Sequence, residues 1–152
     1  MKQGDGAPHV RRYGPEDLDA VMGAWEAASA LAHPFLSEAF LASERHAIPN
    51  VYLPATETWV VEVDGAVCGF LSLIGAAPDT EVGAIFVDPA FHGRGAGRAL
   101  MDRARATRGP LMLRVFEANA VGRRFYARYG FVETGREFHD AAGHALLILR
   151  MA

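Results

Sequence analysis

Only one cysteine, Cys68, occurs in the 152 residues. It has no intrachain partner, which excludes a small disulfide-stapled secreted scaffold and makes a reducing compartment the simpler expectation. Long apolar runs are missing as well. The longest nearly uncharged stretch, Ala66–Ala77, is too short and too rich in glycine to span a bilayer, and MKQGDGAPHVRRY lacks the apolar core of a secretion signal. A cytoplasmic protein with no membrane role is expected. Repeats, low-complexity tracts and Pro/Gly/Ser-rich linkers are also missing, so residues 1–152 read as one domain with a loose segment over 1–8. At 51% hydrophobic and 22% charged residues, the chain can bury a core.

The net charge of −3 is unevenly spread. Residues 1–76 carry −6 and residues 77–152 carry +3; between Phe91 and Gly130, nine arginines face only Asp102 and Glu117. Such a block suits an anionic partner for one part of the domain, although a solvated helix surface alone would also account for it. Nucleic acid is the poorer partner, because the block lacks interleaved exposed aromatics and the whole chain is acidic.

Periodicity and turn residues predict an α/β domain. A first strand over Val10–Tyr13 is followed by a helix that starts at Gly14-Pro15-Glu16-Asp17 and runs to about Leu31. Pro34 separates it from a second helical segment, Leu36–His46. Thr58–Val63 and Ala66–Ile74 flank Asp64-Gly65, a dipeptide that accepts the positive φ angles of a type I′ hairpin turn. Strand Glu81–Val87, an arginine-rich helix to about Arg108, strand Leu111–Val115, helix Asn119–Tyr129 and the antiparallel pair Phe131–Phe138 and His144–Met151 complete the order.

Two segments carry chemistry. In Phe91-His92-Gly93-Arg94-Gly95-Ala96-Gly97-Arg98, three alternating glycines stand between a strand and a helix. They free the backbone to bend and expose peptide N–H groups at a positive helix end, a cradle for phosphate to which Arg94 and Arg98 add charge. A Walker loop does not fit, since Arg98-Ala99 follows Gly97; a dinucleotide fingerprint fails in both frames, ending on Arg98 or Leu100. In the second segment, Asn119, Gly122 and Tyr126 share one helical face, with Val121, Phe125 and Tyr129 forming the neighbouring apolar stripe.

The loop His92–Gly97 resembles the acetyl-CoA-binding motif R/Q-x-x-G-x-G/A of the GNAT superfamily of N-acetyltransferases, with His92 in place of the usual Gln or Arg. Asn119, Gly122, Phe125, Tyr126, Gly130 and Phe131 are similar to the family pattern N-x-x-A-x-x-F-Y-x-x-x-G-F, with glycine for the usual alanine at 122. Ala32-His33-Pro34-Phe35-Leu36-Ser37 and Thr134-Gly135-Arg136 resemble its small bacterial YjaB-type branch.

The resemblance implies a single GNAT domain: a mixed, mostly antiparallel sheet of about seven strands, with the fourth and fifth splayed and helices on both faces. It implies acetyl-CoA as acetyl donor and no metal. The pyrophosphate would sit on His92, Gly93, Arg94, Gly95, Ala96, Gly97 and Arg98, and the pantetheine arm would pair with Ile85, Phe86 and Val87. Asn119 would bond the amide arm beside Gly122 and Phe125, and Tyr126 would protonate the departing thiolate. Three bases for the amine stay open: Glu81 at a strand start, His33 at a helix break, or water. His139 and His144 read as turn or edge residues.

The acceptor would be a small-molecule or protein amine, lined by His33–Pro54 and the last strand pair; Trp25, Glu38 and Glu44 suit a cationic or aromatic one. A catalytically silent CoA-binding regulatory module remains the alternative, and a homodimer through the last two strands stays open.

Overall fold

The computed structural model describes residues 6–151. Within the expected loose segment Met1–Pro8, residues 1–5 lie outside that range and 6–8 carry no regular element. The strands are β1 (His9–Arg12), β2 (Glu57–Val63), β3 (Ala66–Ile74), β4 (Thr80–Val87), β5 (Leu111–Phe116), β6 (Phe131–His139) and β7 (His144–Met151). The helices are α1 (Leu18–Ala32), α2 (Glu38–Ala47), the single turn α3 (Leu53–Ala55), α4 (Ala96–Arg108) and α5 (Ala120–Tyr129). A π-helical turn over Ile48–Tyr52, absent from the expected order, joins α2 to α3. Pro49 in this turn and Pro54 in α3 remove two backbone donors and prevent a regular continuation.

Seven strands form one sheet in the order β1-β2-β3-β4-β5-β7-β6. Every pairing is antiparallel except β4 with β5. The β2–β3 turn is as expected: Asp64 and Gly65 take φ of 53° and 81°, the type I′ geometry that matches strand twist.

The sheet opens on one side of its parallel pair. β4 and β5 pair only over Thr80–Val82 against Leu111–Leu113, while β4 continues along β3 to Val87 and β5 along β7 to Phe116. The cause lies in β4. Ser72 pairs with Ala84 and Leu73 with Val82, so Gly83 is an extra residue in the ladder. A bulge bends the strand that carries it, and this one sits immediately after the last residue paired to β5. A Cβ on Gly83 would lie 2.4 Å from Ile74 Cδ1, so a larger residue there would push the exposed Ile74 side chain aside.

Alternation along the strands sends side chains to two cores. On one face, Val21 and Trp25 of α1 pack on Val60 and Phe70; on the other, Leu100, Met101 and Ala104 of α4 pack on Val61, Leu71, Leu113 and Tyr126 of α5. Thus α1 and α5 lie on opposite sides of the sheet. Leu100 is fully buried; Leu100→Ala is expected to lower the unfolding free energy by about 2–5 kcal/mol through lost burial and a residual cavity, read from urea denaturation.

Candidate active site

One cleft of about 830 Å³ runs through the opening of the sheet. At one end it is lined by the glycine loop, whose form follows from local chemistry. Asp88 Oδ1 accepts from Ala90 N at 2.9 Å and starts the short turn Pro89–Phe91 that ends β4. Gly93 and Gly95 then adopt φ of 79° and 80°, the left-handed region, and Gly95 is the N-cap of α4. Gly97 serves a different purpose: a Cβ there would approach Phe125 Cε1 to 3.1 Å, so its absence lets α4 and α5 meet. The first N–H groups of α4 have no helical acceptor and carry the positive end of its dipole. They fit an anionic group.

Of the catalytic and cofactor-binding residues expected from the sequence, all but Arg94 line this cleft. Arg94 is turned to the β2–β3 turn, where its Nη2 donates to Asp64 Oδ2 at 2.8 Å. Of the acceptor-side candidates, Trp25 and Glu44 line the cleft, whereas Glu38 stands outside it, 3.5 Å from Arg45. Arg98 lies over the Tyr129 ring at 5.4 Å, and Arg124 and Arg128 join it on the wall. Beyond the bulge, Ile85, Phe86 and Val87 border the opening, and the β4 edge on that side has lost its partner strand, which leaves alternate backbone groups facing the cleft.

Tyr126 is 9% exposed and is held edge-on by Phe125 at 5.5 Å and Phe131 at 5.9 Å. Burial pushes its phenol well above the ordinary tyrosine range, so it stays protonated at neutral pH. Asn119 caps α5, its Oδ1 accepting from Gly122 N at 2.8 Å, while its Nδ2 lies 3.3 Å from His33 Nε2. Glu81 accepts from Arg114 Nη1 at 2.8 Å, and Arg114 is also bound to Glu137 at 2.7 Å.

Burial pushes His33 down to about 4. An unfolded histidine titrates near 6.5, so between these values unfolding takes up a proton. The stability due to the neutral ring is complete above about pH 6.5 and is lost as pH falls toward 4. Urea titrations across this window should show a loss of roughly 3 kcal/mol from His33, and a shallower pH slope in His33→Gln.

The far end of the cleft is built by α2, the π-helical turn and β7's neighbours. Phe40, Leu41, Tyr52 and Phe116 give it apolar walls, and Glu44 gives it a carboxylate. Burial raises Glu44 above its ordinary range, opposed by a hydrogen bond from Tyr52 Oη at 3.1 Å and by the nearby His139. His139 ends β6 and His144 begins β7, at the turn where they were expected, and both pack against Phe116 at 5.9 and 6.4 Å. Sequence reasoning missed Gly83, for which an isolated glycine inside a strand pattern was the signal. It also missed Ser29, whose Oγ is buried on the cleft wall without a partner among the described residues; a serine inside a helix gives no such signal.

An acetyltransferase (GNAT) domain model matches residues 54–133. The chain belongs to the GNAT family of acetyltransferases. It is 31% identical to the peptidyl-lysine N-acetyltransferase YjaB of Salmonella typhimurium, over 94% of this chain and 96% of that one. The solution structure of apo YjaB from Escherichia coli superposes with a TM-score of 0.83 at 28% identity, covering 95% of this chain and 97% of that one. The N-acetyltransferase PaiA of Thermoplasma acidophilum, solved with coenzyme A, shares the fold at a TM-score of 0.74 and 18% identity, over 95% and 98% of the two chains. GNAT enzymes are acyltransferases that use acetyl-CoA, and the splayed sheet with helices on both faces is the GNAT architecture. Among the described residues no helix is long and apolar enough to cross a membrane.

Proposed function

We propose that this GNAT enzyme moves the acetyl group of acetyl-CoA onto the ε-amine of a lysine in a protein or peptide, by direct attack within a ternary complex. The observation that carries the reading is the continuity of the cleft. It joins amides suited to an anion at the α4 N-terminus to an apolar lobe holding Glu44, and Tyr126 and Glu81 also line it. An aliphatic stem ending in an ammonium matches that lobe, and near-full-length relatives bear the name peptidyl-lysine N-acetyltransferase.

A lysine amine is protonated at neutral pH. Glu44 receives the ammonium while desolvation by the apolar walls opposes the charge, and Glu81 takes the proton directly or through water. Glu81 suits this better than His33, whose Nε2 faces the Asn119 amide. The amine nitrogen then forms a bond to the thioester carbonyl carbon, whose oxygen is polarised by an N–H of the open β4 edge. The carbon–sulfur bond breaks, Tyr126 gives its proton to sulfur, and the surplus proton on the new amide nitrogen returns to the tyrosinate, directly or through water. The burial that raises the phenol also disfavours a thiolate, which favours a protonated sulfur as it leaves.

The test is thiol release from acetyl-CoA with a lysine peptide, followed by mapping of the acetyl group. Release coupled to ε-acetylation is expected. CoA binding without release under any amine would instead identify a silent CoA-binding module.

A further inference from the structure

We propose that His33 is a positioning residue: it bridges the opening between β4 and β5 to fix the Asn119 carboxamide, and Gly122 makes room for that contact. The inference rests on the reading above in one respect, that Asn119 faces acetyl-CoA.

The two residues belong to helices on opposite faces. His33 is the C-cap of α1 and Asn119 the N-cap of α5. A contact between them crosses the plane of the sheet, which a fully paired β4–β5 ladder would block. The His33 ring sits in the gap, edge-on to Phe86 from β4 at 6.1 Å and to Phe116 from β5 at 5.4 Å, with Phe35 at 5.7 Å closing a third side.

Hydrogen bonding fixes the polarity. Asn119 Oδ1 must be the atom that accepts from Gly122 N–H, because a flipped amide would set two donors against each other. The atom facing His33 Nε2 is therefore the amide nitrogen, a donor only, so Nε2 accepts and the ring proton is on Nδ1. One carboxamide hydrogen remains for a ligand in the cleft. Gly122 is the permissive position: a Cβ there would fall 2.5 Å from Asn119 Nδ2. The amide would have to shift from the position in which it meets His33.

Three substitutions and one spectroscopic measurement test this. His33→Gln keeps a side-chain oxygen that can accept from Asn119, whereas His33→Leu keeps only bulk. Titration with CoA is expected to show a Kd within about threefold of the native value for His33→Gln and about tenfold weaker for His33→Leu. Gly122→Ala should weaken CoA similarly, although alanine favours the helix. Tight binding by His33→Leu would make the ring mere apolar filler and overturn the proposal. Equal loss in both His33 variants would also overturn it. Nitrogen NMR of the native protein at neutral pH should show His33 protonated at Nδ1 and bare at Nε2; the opposite tautomer removes the contact whatever the variants do. None of these readouts needs turnover, so an enzyme that binds CoA but acetylates no lysine would overturn the proposed function while leaving this one standing.

Discussion

Tyr126→Phe is expected to lower kcat by about 10²-fold or more while the KM for acetyl-CoA stays within about threefold. The substitution is clean. Phenylalanine keeps the edge-on contacts to Phe125 and Phe131, so α5 and the core around it remain packed, and only the hydroxyl is lost. Without it the thiolate leaves unprotonated from a site that solvates anions poorly, and the penalty falls on the transition state rather than on binding. Steady-state kinetics at saturating amine separate the two parameters; unchanged turnover would remove Tyr126 from the reaction.

Glu81→Gln carries the second large effect. The kcat/KM for the amine should fall about 10²-fold at neutral pH, and the deficit should shrink as pH approaches the amine's own value near 10.4, where no base is needed. The loss cannot be blamed on an orphaned guanidinium, because Arg114 keeps Glu137 at 2.7 Å. A pH–rate profile like that of the native enzyme would transfer the role to His33 or to water alone. Running His33→Gln beside it distinguishes those two, since a base at His33 would move the acid limb of the profile.

Features governed by neighbours in the chain are legible in the amino-acid sequence. The β2–β3 turn follows from Asp64-Gly65, the end of β4 from Asp88-Pro89, and the anion cradle from Gly93 and Gly95, whose φ angles only glycine takes readily. β7 has its expected bounds, His144–Met151. In each case the decisive energy is a backbone preference or a hydrophobic period acting over a few residues. Gly97 shows where that logic stops: its spacing matches the other two glycines, yet what it accommodates is the Phe125 ring.

Charge is less legible than backbone. The arginine block suggests a ready anion site, but Arg94 is bound to Asp64, Arg108 to Glu57 and Arg114 to Glu81 and Glu137. Arg103 lies over Trp59 at 4.9 Å. Long side chains choose partners by proximity after folding, so net charge along a segment overstates what a ligand meets. Arg98, Arg124 and Arg128 are the arginines of the α4 and α5 helices that line the cleft.

The chemical types at the site, a glycine loop and a tyrosine helix in a β/α order, are written in local sequence because bond geometry and periodicity enforce them. Tertiary structure alone decides the opening that makes them one site. It arises from a single extra residue at Gly83 and is bridged by His33 and Asn119, which stand 86 positions apart. Contacts at such separation depend on how the two faces of the sheet are packed, and no short-range preference encodes that.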